Sequence, residues 1–162
     1  YGVAPDVVAF GKKTQVCGIY ASNRVDEVPE NVFVRSSRIN STWGANLVDM
    51  VRAKRIIEII LDENLHENAA ERGKQFVQGL RDLAKERSGI SNVRGVGTLV
   101  AFTCENNASR DALLSNLMDN KILALASGEE SVRFRMSMVV TADEINLALE
   151  RIGACLPAGA SA

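Results

Sequence analysis

Apolar residues in this chain first run unbroken, then recur at helical intervals, and late in the sequence alternate with polar ones. Asp6 opens the run Val7-Val8-Ala9-Phe10, which stops at Gly11 and is followed by Lys12 and Lys13. An unbroken run of this length between turn signals predicts a strand buried on both faces, as in a parallel sheet. Gly11 would provide the sharp exit. Residues 15–21 are rich in Val, Ile and Tyr and predict a second strand, weakened by Gly18. Asp26 to Asn31, around Pro29, reads as a turn or one short helical turn, and Val32 to Val34 as a minor third strand. From Leu47 the period changes: Leu47, Met50, Val51, Ile56, Ile57 and Ile60 predict a helix ending near Asp62 or Glu63. Asn64-Leu65-His66-Glu67 has the form of a capping box. The helix beyond it places Leu65, Ala69, Gly73, Phe76, Val77, Leu80, Leu83 and Ala84 on one face, with Gly89 as its stop.

Downstream, residues 92–105 carry Gly95 and Gly97 in a strand pattern, which signals a bulge or close backbone packing. Ser109 or Asn107 would cap a helix bearing Ala112, Leu113, Leu117 and Met118. Residues 122–126 form a short apolar strand. Residues 132–136 alternate, which puts Arg133 and Arg135 on one face and Val132, Phe134 and Met136 on the other. Thr141-Ala142-Asp143-Glu144 is a second capping box, leading into a final helix through Ile145, Leu149 and Ile152. From Pro157 the small residues predict a frayed tail. Strands alternating with helices make the fold class α/β.

Charge narrows the partners. The 19 basic and 20 acidic residues are interspersed, with a net charge of −1, so neither nucleic acid nor an anionic membrane is an expected partner. No apolar stretch approaches the ~20 residues of a membrane span. Cys17, Cys104 and Cys155 are odd in number and far apart; they suit buried free thiols in a reducing compartment, and no metal site is expected. His66 is the only histidine and sits among polar residues, so it reads as a surface side chain.

Three places carry candidate chemistry. Lys12 leaves a strand end beside a second cation. Partial burial and that neighbour would both lower its pKa and make it a nucleophile toward a carbonyl. The plain reading is two solvated lysines. A phosphate loop is excluded, because Asp6 stands where its first glycine is required and Lys13 where Ser or Thr is required. The hydroxyls and asparagines of residues 40–46 read either as helix caps or as an anion site. Arg133 reads either as a solubilising edge residue or as a two-pronged carboxylate grip.

Taken together, residues 6–18, Asn40-Ser41-Thr42-Trp43-Gly44-Ala45-Asn46 and Val132-Arg133-Phe134-Arg135 resemble the class III pyridoxal-phosphate-dependent aminotransferases, most closely their lysine ε-aminotransferase branch. Family members are much longer, so the chain is expected to be a C-terminal fragment. The resemblance implies that residues 1–46 end the large fold-type-I cofactor-binding domain. Residues 47–63 would be a linking helix, and residues 64–162 a small C-terminal α+β domain. It implies pyridoxal 5'-phosphate held as a Schiff base by Lys12, with Lys13 as the alternative. Thr42, with Ser41 as a weaker companion, would contact the cofactor phosphate of the other subunit, and Arg133 would bind the substrate α-carboxylate. The implied reaction moves the terminal amino group of L-lysine to 2-oxoglutarate in a cytoplasmic homodimer whose site is shared between subunits, while the fragment alone is expected to be inactive. The alternatives are another ω-amine transaminase, acting on ornithine or aminobutyrate, and a non-catalytic α/β association module.

Overall fold

The structure is a computed structural model that describes residues 2–39, 42, 44 and 46–159. The chain divides into two compact units, residues 1–62 and 63–162.

In the first unit, β1 (Val7–Phe10) and β2 (Gly18–Ala21) form an antiparallel pair, with Val8 opposite Tyr20 and Phe10 opposite Gly18. The expectation of a strand buried on both faces in a parallel sheet is therefore corrected. Val7 and Val8 are exposed, and β2 is the only strand paired with β1 among the described residues. Gly18 has a packing role. The Phe10 ring lies over it, 4.6 Å from the Tyr20 ring, and a Cβ at Gly18 would come within 2.4 Å of the Phe10 Cζ. Asp6 ties the hairpin to the 3-10 turn Asn23–Glu27 by accepting from Arg24 Nη1 at 2.9 Å and from the Ser22 backbone N–H at 2.8 Å.

The predicted strand at Val32 to Val34 is absent, and the cause is Asn31. This buried side chain donates to the carbonyls of Val25 and Val28 and accepts from the Phe33 N–H at 2.9 Å. The Asn31 carbonyl accepts from the N–H groups of Val34 and Arg35. Residues 32–34 thus wrap around one asparagine, and their β-branched side chains do not decide the backbone. Helix α1 (Leu47–Asp62) follows. Its first turn is capped by Asn46, whose Oδ1 accepts from the Val48 N–H at 3.1 Å. Much of its apolar surface is exposed, with Leu47 at 75% and Leu61 at 59%.

The second unit closes a core. It contains α2 (Leu65–Glu86), β3 (Ser91–Val96), β4 (Leu99–Thr103), α3 (Asn107–Asp119), β5 (Leu125–Ser127), β6 (Ser131–Arg135) and α4 (Ala142–Cys155). The four strands lie in the order β3-β4-β6-β5 and every neighbouring pair is antiparallel. Alternation along β4 and β6 buries Val100, Phe102, Val132 and Phe134 against Phe76 and Leu80 of α2, Leu117 of α3 and Ile145 and Ile152 of α4. Phe134 meets Phe76 edge-on at 5.2 Å.

Helix ends follow local rules unevenly. Thr141 and Glu144 form the reciprocal box, as do Asn106 and Ser109 at α3, where the cap falls on Asn106 and neither Asn107 nor Ser109 is the cap itself. Asn64 does not cap α2 with its side chain. It adopts a left-handed conformation (φ 50°) between the two helices. The start of the tail is held, since Ser88 donates to the carbonyls of Pro157 and Ala158.

Two predictions follow from this packing. Gly73→Ala would set a Cβ 2.0 Å from the Gly97 carbonyl oxygen, a backbone atom that no rotamer change can move. Helix propensity favours alanine by only about 1 kcal/mol, whereas overpacking costs about 1–3 kcal/mol. Chemical denaturation should therefore show net loss of stability, and a stabilised variant would contradict the packing. Glu144 is held below its ordinary value of 4.5 by the Thr141 backbone N–H and then by the Thr141 hydroxyl. A depressed folded-state pKa gives stability that is present above the unfolded value and is lost as pH falls through the folded one. The melting-temperature gap between the parent and Glu144→Gln should be small, because the carboxylate is exposed, and should narrow as pH drops below about 4.5.

Candidate functional site

The hairpin presents Lys12 at its tip. After β1, Gly11 is fully extended (φ 174°), a conformation open to any residue, so the sharp exit does not depend on it. The left-handed backbone falls on Lys12 itself (φ 59°) and again on Gln15 (φ 66°). Residues Lys12–Thr14 form a 3-10 turn, closed by the Gln15 N–H donating to the Lys12 carbonyl at 3.0 Å. Thr14 Oγ1 donates to the Val16 carbonyl at 2.8 Å. A lysine in this region is strained by about 1 kcal/mol or more, and such residues concentrate at functional sites. Both Lys12 and Lys13 are exposed, so the partial burial predicted for Lys12 is not found. Neither ammonium has a hydrogen-bond or ion-pair partner among the described residues.

Thr42 is exposed in a turn ahead of α1. Ser41, with Asn40, Trp43 and Ala45, lies outside the described residues. The capping role open to this stretch is taken by Asn46.

Arg133 lies in the second unit on β6, on the sheet face opposite the helices, between Ala101 of β4 and Leu125 of β5. It is half-buried, and its Nε is buried with no hydrogen-bond partner. Arg72 Nε is similarly placed, but its terminal nitrogens are engaged by Gln75 and Glu71. Arg133 makes no hydrogen bond or ion pair among the described residues, so an acceptor is lacking at a site that can grip one. Arg94, opposite the same Ala101, is by contrast committed to Thr103 Oγ1 at 3.1 Å and Ser131 Oγ at 2.9 Å.

Among the described residues, the chain thus carries two lysine amines without a partner, an exposed hydroxyl and a guanidinium without a partner. Its sequence matches the family described as Aminotransferase class-III over residues 1–156. The chain belongs to the class III aminotransferases. Members of this family are generally pyridoxal-phosphate-dependent. The chain is 47% identical over 156 residues to the L-lysine-epsilon aminotransferase of Mycobacterium tuberculosis, covering 96% of this chain and 35% of that protein. It is 44% identical over 159 residues to the enzyme of the same name from Streptomyces clavuligerus, covering 97% of this chain and 35% of that protein. The solved lysine aminotransferase from M. tuberculosis in the internal aldimine form superposes with a TM-score of 0.86 at 45% identity, covering 95% of this chain and 36% of that one. This class III aminotransferase chain therefore spans about a third of the length of the relatives it matches.

Several features of the region were not readable from the sequence. Asn31 looked like one polar residue in a loop, and Arg52, which donates to Gln15 Oε1 at 3.2 Å, lies 37 residues from its partner. Of the cysteines, Cys104 is buried and its thiol is pushed up mainly by that burial, whereas Cys17 is exposed, against the expectation of buried thiols.

Proposed function

We propose that this chain carries the lysine, phosphate-contacting and carboxylate-binding residues of a longer lysine ε-aminotransferase. The enzyme would move the terminal amino group of L-lysine to 2-oxoglutarate in a cytoplasmic homodimer whose site is shared between subunits. In this reading residues 1–46 end the large domain, 47–63 link, and 64–162 form the small domain. One observation carries the proposal. A lysine with no partner among the described residues is held in a left-handed backbone at a hairpin tip, in a chain 47% identical over 156 residues to lysine ε-aminotransferase.

The donor set suits pyridoxal 5'-phosphate. Lys12 would hold it through its amine, Thr42, with Ser41 as a weaker companion, would contact the phosphate of the cofactor held by the other subunit, and Arg133, whose Nε lacks an acceptor among the described residues, would take the substrate carboxylate. When bound, the cofactor supplies an aldehyde carbon and a ring that stores the electron pair released at the substrate carbon. Lys12 then has two tasks, anchoring and moving a proton to or from that carbon. Arg133 fixes the orientation of the acid by two parallel hydrogen bonds, which a lysine could not reproduce. Lys13 is the competing anchor. Other ω-amine donors are separated from lysine by comparing rates with lysine, ornithine and 4-aminobutyrate. The association-module reading draws on the exposed apolar surface of residues 1–62.

In the full-length enzyme, borohydride reduction and peptide mapping should find the pyridoxyl label on Lys12. Lys12→Ala should remove the label and lower kcat by about 10²–10⁴; a label on Lys13, or none, would reject the assignment. Arg133→Ala removes hydrogen bonds to a charged group worth about 1.5–3 kcal/mol, so the KM for 2-oxoglutarate should rise by roughly 10- to 100-fold. The 162-residue chain alone should bind the cofactor weakly and show no turnover. A strong cofactor absorbance band and transamination by that chain would overturn this.

A further inference from the structure

The turn that carries Lys12 has little within it to keep it in place. It contains no buried residue, one of its two backbone bonds is long (Thr14 N–H to the Gly11 carbonyl, 3.4 Å), and it includes one left-handed non-glycine residue and is followed by another. The side chain of Gln15 supplies a tether outside the turn. Gln15 closes the turn with its own N–H on the Lys12 carbonyl at 3.0 Å, and its Oε1 accepts from Arg52 Nη1 at 3.2 Å. Arg52 stands in α1, and its Nη1 is 3.5 Å from Asp49 Oδ1 one helical turn earlier. A short relay therefore runs from Asp49 through Arg52 and Gln15 to the backbone of Lys12, all within the first unit.

We infer that Arg52 is a positioning residue for Lys12, acting through the side chain of Gln15. The inference rests on Lys12 being the anchoring amine. A rigid planar donor on a helix suits this task, because it fixes the direction of the acceptor as well as its distance. Gln15 transmits that constraint through its own backbone, since its φ is set in the same residue whose side chain is held. Loss of either partner frees the turn to relax from its left-handed geometry, and the amine of Lys12 is then no longer preferred over that of Lys13.

The test uses cofactor-free full-length protein, pyridoxal 5'-phosphate and borohydride, and reads the ratio of initial labelling rates at Lys12 and Lys13 by peptide mapping. Arg52→Leu and Gln15→Leu should each lower the ratio by about 3- to 10-fold, the size of one net hydrogen bond. The double variant should be no worse than either single, because the two residues act as a unit. Gln15→Glu keeps an acceptor for Arg52 and should retain the parent ratio, which loss of packing alone would not restore. Circular dichroism identifies any variant that fails to fold, and the glutamate variant then decides. Single variants that label Lys12 as selectively as the parent, or an effect of Arg52→Leu not shared by Gln15→Leu, would overturn the relay. Absence of label on Lys12 in the parent would instead overturn the anchoring assignment beneath it.

Discussion

The second unit depends on one apolar layer, laid down by four side chains at alternate positions of two adjacent strands. Val100 and Phe102 of β4 and Val132 and Phe134 of β6 point to the same side, and α2, α3 and α4 contribute to the core that covers them. Because strand side chains alternate, burial of this set commits the intervening residues to the other face. Arg133 is one of those residues. Its placement on the open face thus follows from the hydrophobic core, and its Nε is buried there without a hydrogen-bond partner among the described residues.

The first unit is built differently. Among the buried apolar side chains of the described residues, only Ala53 belongs to it, and the others lie in the second unit. Val7, Tyr20, Phe33, Val34, Leu47, Val48 and Val51 are all exposed. Such a surface is more apolar than a free-standing unit of this size ordinarily carries. Its local order comes instead from polar contacts: Asp6 with Arg24, Asn31 with three backbone groups, and Arg52 with Gln15. Relatives in which the matched stretch is only 35% of the chain have ample additional polypeptide with which to cover it.

Legibility in the sequence followed the range of the interaction. The Thr141–Glu144 box and the alternation of residues 132–136 were readable because each is decided within a few residues. Asn64 met the same capping pattern and behaved otherwise. With α1 ending at Asp62 and α2 starting at Leu65, it had to turn the chain, and asparagine tolerates the left-handed region that such a turn uses. Residue type and neighbours left two readings open for Lys12 and for Arg133, and neither the free Nε nor the left-handed φ could be read from them. The apolar run of β1 pointed to burial on both faces, which Val7 and Val8 do not have. Asn31 and the Arg52–Gln15 contact were invisible, since nothing in composition or period marks a polar residue that organises its surroundings.

The antiparallel register of β6 has a consequence for how this segment tolerates changes in length. Each of its residues has an assigned partner in β4, with Arg133 facing Ala101 and Phe134 facing Val100. Adding or deleting a single residue between Ser131 and Arg133 would invert the parity of the remainder, turning a cation toward the core and an aromatic ring toward the open face. The turn before the strand, at Gly128 (φ 59°), has open space around it and can absorb such a change. Length variation among related chains should therefore collect at that turn and spare the strand, which makes an intact β6 a simple marker that Arg133 keeps its place on the open face.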